Sequence, residues 1–221
     1  MRKNKKKRLS RKQFYRKKRI KAIIKLSFVM LIIVTILSFG FTGSFYILDF
    51  IGFEGAKNVD SIDIKKMYLT PNEYSRPQTK LKRVKGIVVH YTANPGTTAE
   101  DNRNYFEGLS ESHVTYASSH FVIGIKGEIV QCLPLNEMSY ASNSRNDDTI
   151  SIECCHQDAS GKFTKETYDS LVNLTAWLCN KYHVPKKNVI RHYDITGKIC
   201  PKYFVDHEDA WIKFKNEVFT K

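Results

Sequence analysis

Acidic residues are missing from the first 25 positions, which carry 14 Lys and Arg. Charge of either sign is missing from Leu26 to Leu48, LSFVMLIIVTILSFGFTGSFYIL. Net charge is missing from the rest, where the 22 Lys and Arg left of a total of 36 balance all 22 Asp and Glu. Each absence excludes something. The formal +14 of the chain lies wholly in its leader, so the remainder has no basic surplus with which to hold nucleic acid. Internal repeats are absent too, and low-complexity sequence stops with the leader, which excludes array architectures.

The uncharged run is long enough to cross a hydrocarbon core of roughly 30 Å at about 1.5 Å per residue. Lys25 and the basic run before it flank one end and Asp49 the other. By the positive-inside rule the basic side stays in the cytoplasm, where it suits an anionic inner leaflet, and the chain after residue 49 is outside. The expected organisation is a basic cytoplasmic leader (1–25), a transmembrane anchor (26–48), an extracytoplasmic stem (49–80) and a folded domain (81–221). This describes a single-pass protein of the cell membrane. A cleaved signal peptide is the competing reading, because Thr42-Gly43-Ser44 is small enough for a peptidase. The apolar stretch continues past that point and the basic region is long, which favours the anchor.

Residues 49–80 hold no sustained period and contain Pro71 and Pro77, as a spacer does, with a short helix expected around Ile62–Tyr68. The domain opens with a strand, Val84–His90. Thr97 with Glu100 offers a capping box for a helix reaching about Gly108. Ser119–Ile125 and Glu128–Cys132 flank Lys126-Gly127 and predict a β-hairpin with a two-residue turn. Thr149–Cys155 is a further strand. Tyr168, Leu171, Val172, Thr175, Leu178, Cys179 and Tyr182 recur at helical spacing over Thr164–His183. Strand Val189–His192 follows, and Asp206 and Asp209 are placed to cap a last helix with Trp211, Phe214 and Val218 on one face. Strands interleaved with helices predict a single α/β domain with one central sheet.

The residues with chemistry lie at strand ends. His192 stands where Val189-Ile190 gives way to a loop that turns at Gly197 and reaches Cys200-Pro201. Imidazole and thiolate are both zinc ligands, and His90, at the end of Gly86-Ile87-Val88-Val89-His90, is the candidate third. Two His and one Cys leave the fourth tetrahedral position for water, as catalytic zinc requires. A half-buried histidine and a core cysteine account for the same spacing without a metal. Lys198 is a cation beside this loop. In Thr149–Cys155, alternation puts Ile150, Ile152 and Cys154 on one face and Ser151, Glu153 and Cys155 on the other. A buried glutamate needs a partner, which a metal and its water would supply; a solvated edge-strand glutamate needs none.

The set Val89-His90-Tyr91-Thr92-Ala93, Ser119-His120-Phe121-Val122-Ile123, Ser151-Ile152-Glu153 and His192-Tyr193-Asp194 with Lys198-Ile199-Cys200-Pro201 resembles the type-2 N-acetylmuramoyl-L-alanine amidases. These zinc enzymes include phage endolysins, bacterial autolysins and animal peptidoglycan recognition proteins. The resemblance covers about residues 82–215, and His-x5-Lys-x-Cys-Pro is its most specific part. It implies a mixed central sheet flanked by helices, with a zinc cleft at its edge. It implies cleavage of the amide between N-acetylmuramic acid and L-alanine of the peptidoglycan stem peptide. It further implies His90, His192 and Cys200 as Zn2+ ligands, Glu153 as general base and Lys198 as the cation near the scissile carbonyl. Two positions depart from the family. Ser119 stands where some members have a tyrosine, and Ser139-Tyr140-Ala141-Ser142 where many read Trp-His-Ala-Gly. A non-hydrolytic peptidoglycan-binding module of the same fold is the alternative, against which the presence of Cys200 counts. His120 is adjacent to the cleft in the resemblance, though strand histidines are commonly structural. Cys132, Cys154, Cys155 and Cys179 are left as buried thiols or as disulfide partners whose pairing the sequence does not give.

Overall fold

The computed structural model describes residues 20, 23, 24, 26–30 and 55–220. The chain divides into two units, Met1–Phe53 and Glu54–Lys221. In the first, the described residues are helical, with Leu26 and Met30 exposed. The expected anchor over 26–48 lies mostly outside the described residues. Among those described, no helix is long and apolar enough to cross a membrane.

The second unit is built on a six-stranded sheet. Its strands are β1 (Lys65–Lys66), β2 (Gly86–Tyr91), β3 (Phe121–Ile123), β4 (Ile129–Gln131), β5 (Thr149–Cys154) and β6 (Val189–Arg191), in the order β1-β4-β3-β5-β2-β6. Only the β3–β4 pair is antiparallel. The helices are α1 (Ala99–Ser112), α2 (Lys165–Tyr182), α3 (Tyr193–Thr196), α4 (Lys202–Asp206) and α5 (Glu208–Val218). Helices cover both faces, so the central strand β2 reads as a nearly continuous apolar run up to His90, whereas β5 alternates Ile150, Ile152 and Cys154 with Ser151 and Glu153. Ile87, Val89, Ile150, Ile152 and Cys154 pack under α2 and α5, against Leu171, Leu174, Leu178, Trp211 and Phe214. Val122, Val130, Cys132 and Cys155 face the other way, against Phe106 and Leu109 of α1. Each large side chain so buried contributes about 1.5–3 kcal/mol.

Two local expectations shift. Helix α1 is capped by Thr98 and Asp101, not Thr97 and Glu100. The Thr98 hydroxyl accepts from Asp101 N at 3.1 Å, and Asp101 Oδ2 accepts from Thr98 N at 2.9 Å. The Thr97 hydroxyl is engaged elsewhere, donating to Asn94 O at 2.7 Å and accepting from Asn102 Nδ2 at 2.9 Å. The hairpin turn is longer than two residues: Gly124 N donates to Glu128 O at 2.8 Å, enclosing Ile125, Lys126 and Gly127. Gly127 takes the left-handed position (φ +84) that such a three-residue loop needs. Helix α2 starts as expected at Thr164 and ends at His183. The last helix is preceded by His207 with no side-chain cap; Asp206 instead ends α4, paired with Lys202.

The described part of the expected stem, residues 55–80, is not a spacer. It runs along the domain as an extended segment, and the short helix is replaced by β1. Ile62 and Ile64 pack on the core two residues apart, which suits a strand and not a helix. Met67 N and Leu69 N donate to Gln131 O and Cys132 O, both at 2.9 Å. These bonds satisfy an edge of β4 that would otherwise present unpaired backbone groups. Ala56 N is held by Asn180 Oδ1 at 3.1 Å, and Leu69 is fully buried.

Candidate active site

Parallel strands bring their carboxyl ends to one edge of the sheet, where α/β folds commonly place ligands. His90 lies near the end of β2, Glu153 near the end of β5, and His192 follows β6 directly. The β2–β5 register sets His90 opposite Glu153. Glu153 is therefore on a central strand, which removes the solvated-edge explanation for it.

The loop from His192 to Cys200 is fixed at both ends. Tyr193 N donates to Cys200 O at 2.9 Å, and Gly197, with φ +78, closes the one-turn helix α3 by donating to Tyr193 O. Asp194 accepts from the backbone of Arg191 at 2.8 Å and from its Nη2 at 2.9 Å. Arg191 also reaches Phe204 O at 2.9 Å, tying the loop to the helices behind it.

This brings His90, His192 and Cys200 together, all buried, with one ligand atom from each within 4.8 Å of the others. Cys200 Sγ lies 3.8 Å from His90 Nδ1, near the ~3.6 Å that a tetrahedral N–Zn–S pair spans. The remaining imidazole nitrogens face neighbours: His192 Nε2 donates to Asn143 Oδ1 at 2.8 Å, and His90 Nε2 meets Ser142 Oγ at 3.3 Å. A proton kept on Nε2 leaves the Nδ1 lone pair for the centre of the cluster. Burial, with His192 and Lys198 adding to it, holds His90 well below the usual imidazole range, so it is neutral. Burial pushes the Cys200 thiol up to about 12, so a thiolate there requires a compensating cation. Two neutral imidazoles and a thiolate-in-waiting fit a zinc ion.

Glu153 Oε1 stands 4.0 Å from His90 Nδ1, and its Oε2 is buried with no hydrogen-bond partner. Desolvation raises this carboxyl to about 8, against an opposing pull from Lys198. Lys198 and Glu153 line the same cleft of about 440 Å³, together with His90, His192, Tyr116 and Tyr140. A separate depression of about 540 Å³ lined by Lys57, Asp169 and Glu217 brings together no histidine or cysteine.

All five proposed site residues thus share one cleft. Ser119 does not join them: its hydroxyl donates to Phe121 O and Ser151 O, each at 3.0 Å, inside the protein. His120 is also structural, fully buried between Ser151 Oγ at 3.0 Å and Glu137 O at 2.9 Å. Cys132, Cys154, Cys155 and Cys179 are buried free thiols. Sequence reasoning missed Ser142 and Asn143 as supports of the two histidines. The left-handed backbone at Asn143 (φ +50) suits asparagine, but no local pattern marks it in advance.

The family described as N-acetylmuramoyl-L-alanine amidase matches residues 80–203. The N-acetylmuramoyl-L-alanine amidase BlyA of Bacillus subtilis (strain 168) is 34% identical over 175 residues, covering 70% of this chain and 46% of BlyA. The amidase CwlL of Bacillus licheniformis is 34% identical over 170 residues, covering 71% of this chain and 47% of CwlL. The chain therefore spans about half the length of these curated relatives. A solved mutant endolysin from Bacillus subtilis superposes with a TM-score of 0.61 at 30% identity, covering 72% of this chain and 99% of that one. With the family match extending from just before the strand that carries His90 to just beyond Cys200, this chain belongs to the N-acetylmuramoyl-L-alanine amidase family.

Proposed function

We propose that the chain hydrolyses peptidoglycan at the amide joining the lactyl group of N-acetylmuramic acid to L-alanine of the stem peptide, with zinc held by His90, His192 and Cys200. The observation that carries this reading is the meeting of the three ligand atoms within 4.8 Å beside a carboxyl whose Oε2 is buried without a hydrogen-bond partner. Zinc held there would supply Lewis-acid chemistry, making water more acidic and polarising the amide carbonyl. Glu153 takes a proton from the attacking water and returns one to the leaving alanine nitrogen. Its Oε2 is buried with no hydrogen-bond partner, which leaves it available to a proton in the cleft. Lys198 offsets the negative charge that develops on the carbonyl oxygen. Asn143 and Ser142 keep the imidazoles turned toward the centre.

We further infer that residues 26–48 anchor the chain in the cell membrane, with residues 1–25 in the cytoplasm and the domain facing the wall. The support is the uncharged run beside 14 basic residues, and the exposed, apolar, helical residues at its described start. Protease added to intact cells should remove the domain and spare the leader. A soluble chain beginning near residue 44 would establish a signal peptide instead.

Cell wall digested with the full chain, with and without chelator, tests the activity. New amino-terminal alanine that disappears with chelator supports the amidase; new reducing ends indicate a glycosidase. Wall binding without either product indicates the non-hydrolytic module.

A further inference from the structure

One wall of the cleft, at Tyr116 and Ala117, is backed by the segment that precedes the family match. Asn72 folds it into a tight turn, its Oδ1 accepting from Tyr74 N and Ser75 N, both at 2.8 Å. Arg76 clamps the turn to Glu137 through two bonds of 2.8 and 2.9 Å. Ala117 N donates to Tyr74 O at 3.1 Å, tying the turn to the loop after α1. The outcome is a row of rings. Tyr74 stacks on His113 at 4.3 Å and on Tyr116 at 5.0 Å, and Tyr116 meets the edge of Tyr140 at 5.5 Å. Tyr116 and Tyr140 line the cleft that holds His90 and Glu153.

Tyr116 is 50% exposed, yet it is fixed from two sides: Tyr74 stacks on it, and its hydroxyl donates to Glu73 Oε1 at 2.9 Å. A large apolar ring held rigid at the mouth of a cleft contributes little to the core and loses little freedom on binding.

We propose that Tyr116 and Tyr140, backed by Tyr74, form a glycan subsite that stacks on the C–H face of a pyranose ring in the strand being cut. This rests on the amidase reading above. Charge favours sugar over stem peptide. Stem peptides carry free carboxylates, whereas this row of rings is neutral and its charged neighbour is the acidic Glu73. The lysine of the cleft, Lys198, lies on the His192–Cys200 loop. A pyranose is uncharged and presents an apolar face of the size of a tyrosine ring. Tyr116 and Tyr140 lie within residues 80–203 and Tyr74 outside them, so the N-terminal segment supplies the backing of this subsite and not its contact rings.

The test measures binding of peptide-free glycan strands and of a sugar-free stem peptide to the full chain. Tyr116→Ala should weaken glycan binding about 3- to 10-fold, as expected for one lost ring contact. Tyr116→Phe should recover most of that loss, and Tyr140→Ala should repeat it. Peptide binding should change much less. Equal glycan affinity in the wild type and both alanine variants, no glycan binding by the wild type, or a loss confined to the peptide would overturn the subsite. Release of amino-terminal alanine by the same preparations separates the two readings. Alanine release without ring-dependent glycan binding removes the subsite alone. Ring-dependent binding without alanine release removes the amidase reading alone.

Discussion

His90 and Glu153 face each other across β2 and β5, and Glu153 Oε1 lies 4.0 Å from His90 Nδ1. Strand register therefore holds the proposed base beside a proposed ligand atom without a hydrogen bond between them. Neighbouring parallel strands are too stiff to let this spacing drift, so the base is preorganised by the sheet itself.

Glu153→Gln keeps the shape and removes the proton acceptor. The variant should fold, retain zinc and lose about 10²–10⁴-fold in kcat, the usual cost of removing a general base. Lys198→Ala should also retain zinc and lose about 10²–10³-fold, by analogy with an oxyanion donor. Metal analysis alongside turnover checks both. A drop in zinc content with Glu153→Gln would make this residue a ligand or a support of one.

Asn143→Gly preserves the left-handed backbone at φ +50 and deletes the amide that accepts from His192. Zinc affinity should fall about 10- to 100-fold, as is typical for an orienting partner of a ligand. Competition with a coloured chelator reads this directly. Unchanged affinity would mean that the backbone alone orients His192.

The contrast between Glu153 and Asn143 shows what the sequence makes legible. Glu153 interrupts an alternating Ile-Ser-Ile run, so period and chemistry together single it out. The strand ends carrying His90 and His192 follow from short Val and Ile runs, and α2 from its apolar spacing and its Thr164 start. Asn143 lies in a single 3₁₀ turn with no period, and its partner is 49 positions away. The docking of residues 55–80 is hidden for the same reason. It depends on bonds to an edge strand about 65 positions on, which no window of the sequence contains. The Thr98 cap lay one residue from the expected Thr97 because both threonines offer a hydroxyl and both have an acid three residues later. Only the competing bonds of the Thr97 hydroxyl, to Asn94 O and from Asn102 Nδ2, decide between them.

The pair Arg76–Glu137 should show that the N-terminal segment is part of the domain. Both side chains are 13% exposed, and Arg76 Nη1 also holds Leu69 O at 2.6 Å. Arg76→Ala strands a mostly buried carboxylate and should cost about 3 kcal/mol, the lower end for a broken buried pair. That is a fall of roughly 6–12 °C in Tm for a domain of this size. Adding Glu137→Gln should recover part of the loss. A Tm shift below a degree would mean that the segment docks only loosely.

His120 gives the last prediction, which concerns pH. Its Nδ1 accepts from Ser151 N at 3.1 Å and its Nε2 donates to Glu137 O at 2.9 Å, so both nitrogens are used in the neutral form. A proton on Nδ1 would break the bond from Ser151 N and leave Ser151 Oγ, 3.0 Å away, as its acceptor. Burial lowers this imidazole to about 4, with the Glu137 carbonyl and carboxylate opposing. Above pH 6.5 both folded and unfolded chains hold the ring neutral, and the group adds no pH dependence. Below 6.5 the unfolded chain takes up a proton that the folded chain refuses until about pH 4. Stability must therefore fall as pH drops through this window, by about 3 kcal/mol for this residue. Other groups titrate there as well, so the measurement is a difference. Urea unfolding of the chelator-treated chain is compared with that of His120→Gln at pH 7 and pH 4. The variant starts less stable at pH 7, having lost the ring's packing, and the gap to the wild type should shrink by about 3 kcal/mol at pH 4. A gap that stays constant would mean that His120 takes up its proton in the folded chain as readily as in the unfolded one. The bond from Ser151 N to its Nδ1 would then be wrongly assigned.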